Sequence, residues 1–187
     1  AADGAELVVL PERLDIRGTA GVPGSRTNII IRNLDFQDTY DCFPQWAPND
    51  GALGNWNALY DSISLRDADH VWIDHNTFED VETADETLPV YFGRIFQVHD
   101  GLLDITNASD LVTVSWNRFL NHDKVMLIGS SDSATADRGK LRVTLDDDPF
   151  ALVDKTLQFR CALVGFFQQI VTLHDQPLRI GNARIGR

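Results

Sequence analysis

Apolar and polar residues alternate along four separate stretches of the chain, and each stretch closes on a phenylalanine. Asn28 to Phe36 carries Ile29 and Ile31, and His70 to Phe78 carries Val71 and Ile73. Leu111 to Phe119 carries Val112 and Val114, and the weaker fourth copy, Leu141 to Phe150, carries Val143 and Leu145. Successive side chains of a strand point to opposite faces, so this period of two predicts strands over 28–36, 70–78, 111–119 and 141–150, each with one buried face. From phenylalanine to phenylalanine the spacings are 42, 41 and 31 residues. Between the copies, Asp61 to Leu65, Leu102 to Ile105 and Val125 to Ile128 read as further short strands.

A strand unit that recurs at this length implies a solenoid or a propeller. A propeller blade takes about four strands, whereas each repeat here supplies two or three at uneven spacing. The pattern fits an all-β fold, a parallel β-helix, better; an antiparallel sandwich is the alternative that alternation alone leaves open. In a β-helix the pairs Ile29/Ile31, Val71/Ile73, Val112/Val114 and Val143/Leu145 stack from coil to coil. Asn33, Asn76 and Asn117 then fall near the following turns, where asparagine tolerates left-handed dihedrals and its amide bonds nearby backbone.

The composition keeps this picture and narrows the function. At 187 residues, 43% hydrophobic and 24% charged, the chain is expected to be one globular domain over 1–187. No apolar run approaches the roughly 18 residues that span a bilayer, which argues against a membrane partner. The N-terminal AADGAELVVLPERLD has acids where a secretion signal needs an apolar core, so no leader is expected within this sequence. Cys42 and Cys161 are too few for a disulfide scaffold or a thiolate zinc site. With 28 acids against 16 bases, a net of −12, the surface lacks the basic footprint that phosphate binding needs, which excludes nucleic acid as a partner. Residues 151–187 differ from the rest: two acids and five bases stand there, against 26 and 11 before them.

Short motifs punctuate the repeats in a definite order. They are Phe43-Pro44-Gln45-Trp46, Gly54-Asn55-Trp56-Asn57, Tyr60-Asp61 and Val71-Trp72-Ile73-Asp74-His75. Tyr91-Phe92-Gly93-Arg94, His99-Asp100-Gly101, Asp104, His122-Asp123-Lys124 and Gly129-Ser130-Ser131-Asp132-Ser133 follow. As an ordered set over residues 28–145, these resemble the pectate lyase family (polysaccharide lyase family 1), which includes plant pollen allergens of the same fold. The resemblance implies a right-handed parallel β-helix, here in a shortened form with 151–187 divergent. It also implies calcium-dependent β-elimination on polygalacturonate by a secreted, monomeric protein outside the cell.

By the same resemblance the calcium ligands fall on Asp61, Asp100 and Asp104. The chemistry agrees, because calcium takes oxygen ligands and no thiol accompanies these carboxylates. On a straight strand Asp100 and Asp104 would stand roughly 13 Å apart at about 3.3 Å per residue, so sharing one ion requires a bend, and Gly101 is the obvious place for it. An acidic protein can grip an acidic polymer only through a bridging cation. Calcium supplies that bridge and acts as a Lewis acid on the uronate carboxylate beside the departing C5 proton. Lys124 matches the family's substrate-binding lysine, one of the cations that hold the developing anion. His75 and Trp72 read as structural stacking residues. Ser130, His122 and Asp123 lack the Gly-x-Ser-x-Gly elbow of a hydrolase and lie in one loop region.

The family's proton-abstracting arginine belongs to an Arg-x-Pro-x-x-Arg segment, which this chain does not contain. Aligned without gaps from Phe150, the two arginine positions fall on Thr156 and Cys161. A slip of one residue places Lys155 and Arg160 at the same spacing, and these are the candidate catalytic residues. Three readings follow: a calcium-dependent pectate lyase, a module that binds pectate without cleaving it, and a structural solenoid with neither property.

Overall fold

A computed structural model describes residues 9–10, 13–22, 24–79, 87–122, 124–131, 133–146, 150–151 and 171–174, with backbone alone at 9–10, 150–151 and 171–174. Most of its strands belong to three parallel sheets that the chain visits in turn, and the rest form two antiparallel hairpins. The first sheet pairs Arg13–Arg17, Ile63–Arg66, Leu103–Thr106 and Met126–Ile128, with Val9–Leu10 antiparallel at one edge. The second pairs Arg26–Arg32, Ala68–Asp74, Asp110–Ser115, Val143–Asp146 and Val171–His174. The third pairs Asp35–Gln37, Thr77–Glu79, Arg118–Leu120 and Phe150–Ala151. Each circuit adds one strand to every sheet, which is a parallel β-helix; the antiparallel sandwich and the propeller are excluded by the parallel pairing.

The register follows the apolar pattern. Ile29, Val71, Val112 and Val143 lie side by side, as do Ile31, Ile73, Val114 and Leu145. All but Ile29 are almost fully buried. A slip of one residue would turn each set to solvent, so burial of this face specifies the register. The closing phenylalanines form their own column. Phe36 stacks on Phe78 at 4.9 Å and Phe78 on Phe119 at 4.7 Å, with rings within 5° of parallel.

Corners between sheets use left-handed backbone. Asn33 has φ of 56°, as expected for asparagine, but the equivalent corners fall on His75 at 55° and Trp116 at 54° rather than on Asn76 and Asn117. Those two asparagines lie one residue further on and are buried. The Asn76 amide donates to the carbonyl of Ile31 at 3.0 Å, and that of Asn117 to the carbonyl of Ile73 at 2.9 Å. Asn117 Oδ1 also accepts from the Asn76 amide at 2.9 Å. They tie coil to coil, and the corner strain is borne by neighbours that stack: His75 lies over Trp116 at 6.0 Å, and Trp72 donates to Ser115 at 2.9 Å.

Candidate functional site

The first sheet positions the predicted site. Ile63, Leu103 and Met126 are register partners in three successive coils. Two residues before each of them stand Asp61, Gly101 and Lys124, which therefore occupy equivalent positions one above another, about 4.8 Å apart in a parallel sheet. The backbone continues this pairing: Ser62 N donates to Gly101 O at 3.1 Å and Leu102 N to Lys124 O at 3.2 Å. Asp104 lies opposite Ser64 in the same sheet and points outward between the inward-facing Leu103 and Ile105.

The three acids sit in unlike surroundings. Asp61 is 3% exposed and accepts a short hydrogen bond from Ser64 and one of 3.1 Å from the Gly101 amide. Burial, then the charge of Asp100, still push its carboxyl up to about 6. Asp104 is driven further, to about 8, by burial and by the charges of Asp61 and Asp100; Lys124 and Arg66 offset this only in part. Asp100 is half-buried and takes Lys124 Nζ at 3.1 Å. Its carbonyl accepts from His122 Nε2 at 2.8 Å, which assigns the ring proton to Nε2 and braces the backbone at the bend.

The chain bends at Leu102, one residue beyond the expected Gly101, and Gly101 itself answers a steric need. A Cβ on Gly101 would stand 2.9 Å from Asp61 Oδ1 and 2.9 Å from Asp104 Oδ1. Only a residue without a side chain leaves room between the two carboxylates. Among the described residues, no three His, Cys, Asp or Glu side chains converge closely enough to hold an ion as they stand. Asp100 accepts from Lys124, and Asp61 from Ser64. The donor set itself fits a hard cation: three carboxylates, no thiol, and an open space between two of them over Gly101.

The structure thus brings Asp61, Asp100, Asp104 and Lys124 together. Lys155, Arg160 and Cys161 lie outside the described residues, as does Asp123. Ser130 is engaged elsewhere, donating to Asn107 Oδ1 at 3.1 Å and accepting from the Asn107 amide at 2.9 Å, so no hydrolase triad forms with it. Two residues at the site had no distinguishing mark in the sequence reading. Ser64 and Arg66 share the outward face of Ile63–Arg66, and the alternation of Ile63 and Leu65 gives that direction without telling them from other outward residues.

Known proteins resemble this chain over most of its length. The profile of a family described as "Pectate lyase" matches residues 17–172. A pectate lyase of Bacillus subtilis is 52% identical over 118 residues, covering 63% of this chain and 28% of that protein. Pectate lyase E of Dickeya dadantii is 39% identical over 146 residues, covering 77% of this chain and 35% of that protein. Among solved structures, a thermostable pectate lyase superimposes with a TM-score of 0.65 at 53% identity over 73% of this chain and 33% of its own. A pectate lyase bound to a hexasaccharide gives 0.65 at 44% identity, over 73% and 36%. The chain therefore spans about a third of the length of the relatives it matches.

Proposed function

The chain belongs to the pectate lyase family, and from that premise we propose that it is a calcium-dependent lyase that cleaves polygalacturonate by β-elimination, acting as a secreted monomer. The observation that carries the reading is the alignment of Asp61, Gly101 and Lys124 in three successive coils, with Asp100 and Asp104 beside them. Asp61, Asp100 and Asp104 would hold the calcium. When bound, the ion supplies charge to neutralise a uronate carboxylate and so acidifies the adjacent C5–H.

The residues of the chain do the rest. Lys124, released from Asp100, is free to pair with a substrate carboxylate. A base takes the C5 proton, the C–H pair becomes the C4=C5 double bond, and the C4–O bond breaks; the leaving oxygen gains a proton from solvent. Lys155 is proposed as that base, with Arg160 clamping a carboxylate. A lysine near 10.4 needs a smaller shift to lose its proton than an arginine above about 12. The base must come within about 2.6–3.2 Å of its proton's carbon or of a relaying water.

The decisive assay is ultraviolet absorbance of the 4,5-unsaturated product, with and without chelator. Chelator-sensitive product is expected. Lys155→Ala is expected to abolish it while calcium binding, read by calorimetry, is unchanged. Full activity in that variant would place the base elsewhere. The missing Arg-x-Pro-x-x-Arg segment favours a second reading, binding without cleavage. Calcium-dependent retention on polygalacturonate with no product would establish that one.

A further inference from the structure

Two hairpins outside the three sheets carry a cluster of aromatic rings that neither the coil nor the acid site uses. Gln45–Ala47 pairs antiparallel with Asn55–Asn57, setting Trp46 opposite Trp56. Val90–Tyr91 pairs with Arg94–Ile95 across a turn at Phe92 and Gly93. The hairpins lock together: Trp56 Nε1 donates to Tyr91 O at 3.1 Å, and Arg94 Nε to Gly54 O at 3.1 Å. Phe92 lies within 13° of parallel to Trp56 at 5.7 Å and leans on Trp46 at 5.1 Å. Phe96 meets Trp56 edge-on at 4.9 Å.

Phe92 is unusual in two respects. It is 73% exposed, and its φ of 55°, followed by 76° at Gly93, is left-handed. A two-residue turn with both φ positive favours Asn-Gly, and a bulky non-glycine residue is strained in that region. The turn thus gains nothing from a phenylalanine, and the core gains little from a ring so exposed. What the ring has is rigidity: stacked on one indole and tilted against another, it has little side-chain freedom to lose on meeting a ligand.

Its placement indicates the ligand. Asn57 and Ile95 end the two hairpins only four and five residues before Asp61 and Asp100. The loops are joined at that foot, where Asp41 N donates to Val98 O at 2.7 Å and Leu59 N to Asp41 Oδ2 at 3.2 Å. A polymer held at the acid site must pass beyond it, and the strands that carry this platform lead directly into Asp61 and Asp100 along the chain. No Lys or Arg stands between residues 40 and 60, so the hairpin of the two tryptophans is not built to grip a carboxylate. A pyranoside ring instead offers an apolar C–H face, which suits the negative face of an aromatic ring.

We propose that the two hairpins form an aromatic carbohydrate subsite, in which Phe92, backed by Trp56 and Trp46, and Tyr91, backed by Phe96 at 5.4 Å, take the C–H face of a galacturonosyl ring beyond the acid site. This rests on the pectate-binding reading above. The subsite reads the sugar's face rather than its charge, so it accepts methyl-esterified rings as well.

The test is retention of the full chain in affinity gels of polygalacturonate with calcium, and of methyl-esterified galacturonan with chelator. Phe92→Asn, which suits the turn, is expected to weaken retention about three- to tenfold on both, in line with a single aromatic contact. Phe92→Tyr should restore it, Tyr91→Ser should reproduce the loss, and Ile30→Thr, on the outer face of the second sheet, should change nothing. A melting temperature for Phe92→Asn at or above that of the parent excludes misfolding as the cause. Unchanged retention in Phe92→Asn and Tyr91→Ser overturns the subsite and leaves the pectate reading intact. A parent chain that is not retained on polygalacturonate with calcium overturns both. Loss of self-association in Phe92→Asn with retention unchanged would assign the platform to a protein contact and overturn the proposal.

Discussion

Two groups of buried aspartates, one on the first sheet and one on the second, are held in opposite electrostatic states. On the second sheet, burial pushes Asp110 upward, but the hydrogen bonds and charge of Arg142 more than offset it, and its carboxyl is held below the usual range. Asp74 behaves likewise: burial is outweighed by Ser115, which donates at 2.7 Å, by His75 at 2.7 Å, and by Arg32 at 2.6 Å. On the first sheet, Asp61 and Asp104 are raised to about 6 and about 8, because burial dominates, joined by the charge of Asp100 at Asp61 and by those of Asp61 and Asp100 at Asp104. A buried carboxylate with its own partners fastens a coil. A group of them left short of positive charge is the proposed place for a cation. The contrast separates structural acids from candidate ligands in a chain that has 28 acids.

The comparison can be broken most directly by calcium. At one hundred times its dissociation constant, calcium should stabilise the chain by about 2.7 kcal/mol, read as a rise in melting temperature at pH 8. Asp100→Asn should remove most of that rise together with any lyase activity, and a variant that binds calcium as tightly as the parent would refute the ligand assignment. The second-sheet group should be indifferent to calcium. There, Asp110→Ala should cost about 1–3 kcal/mol, the loss of hydrogen bonds to a buried group, equally with and without the ion.

The pH response should differ in sign. For Asp61 and Asp104 the folded chain binds more protons than the unfolded one above the ordinary value of 3.8, so metal-free stability should fall as pH rises through 6 and 8. Calcium should flatten that slope. For Asp74 and Asp110 the folded carboxyls sit low, so their contribution is present above the ordinary range and is lost only as pH falls beneath it. Thermal melts from pH 3 to 9, with and without chelator, resolve the two limbs. The smallest effect is Asp104→Asn, which should slightly raise the metal-free melting temperature at pH 9, where Asp110→Asn lowers it. A fall in both would mean that the two groups do not differ.

Much of the fold was legible because its signal is local. Alternation at Val71/Ile73 or Val112/Val114 requires only that one face of a strand be buried, and the recurring phenylalanines marked the length of a coil. The ordered motifs carried the acids and Lys124, and Gly101 could be singled out because two carboxylates four residues apart cannot share an ion along a straight strand. Nothing local distinguished Ser64 or Arg66 from other outward residues, and the left-handed corners at His75 and Trp116 could not be told from the asparagines beside them.

The sequence by itself therefore determined the strands, their inward faces, the family and the candidate ligand residues. Tertiary structure alone decided that Asp61, Gly101 and Lys124 occupy one position in three successive coils, that Asp100 turns to Lys124, and that Phe92 rests on Trp56. The reason is range. Alternation of side chains is set between neighbours, whereas these contacts join residues up to 40 positions apart in sequence, and their register depends on how each intervening loop closes.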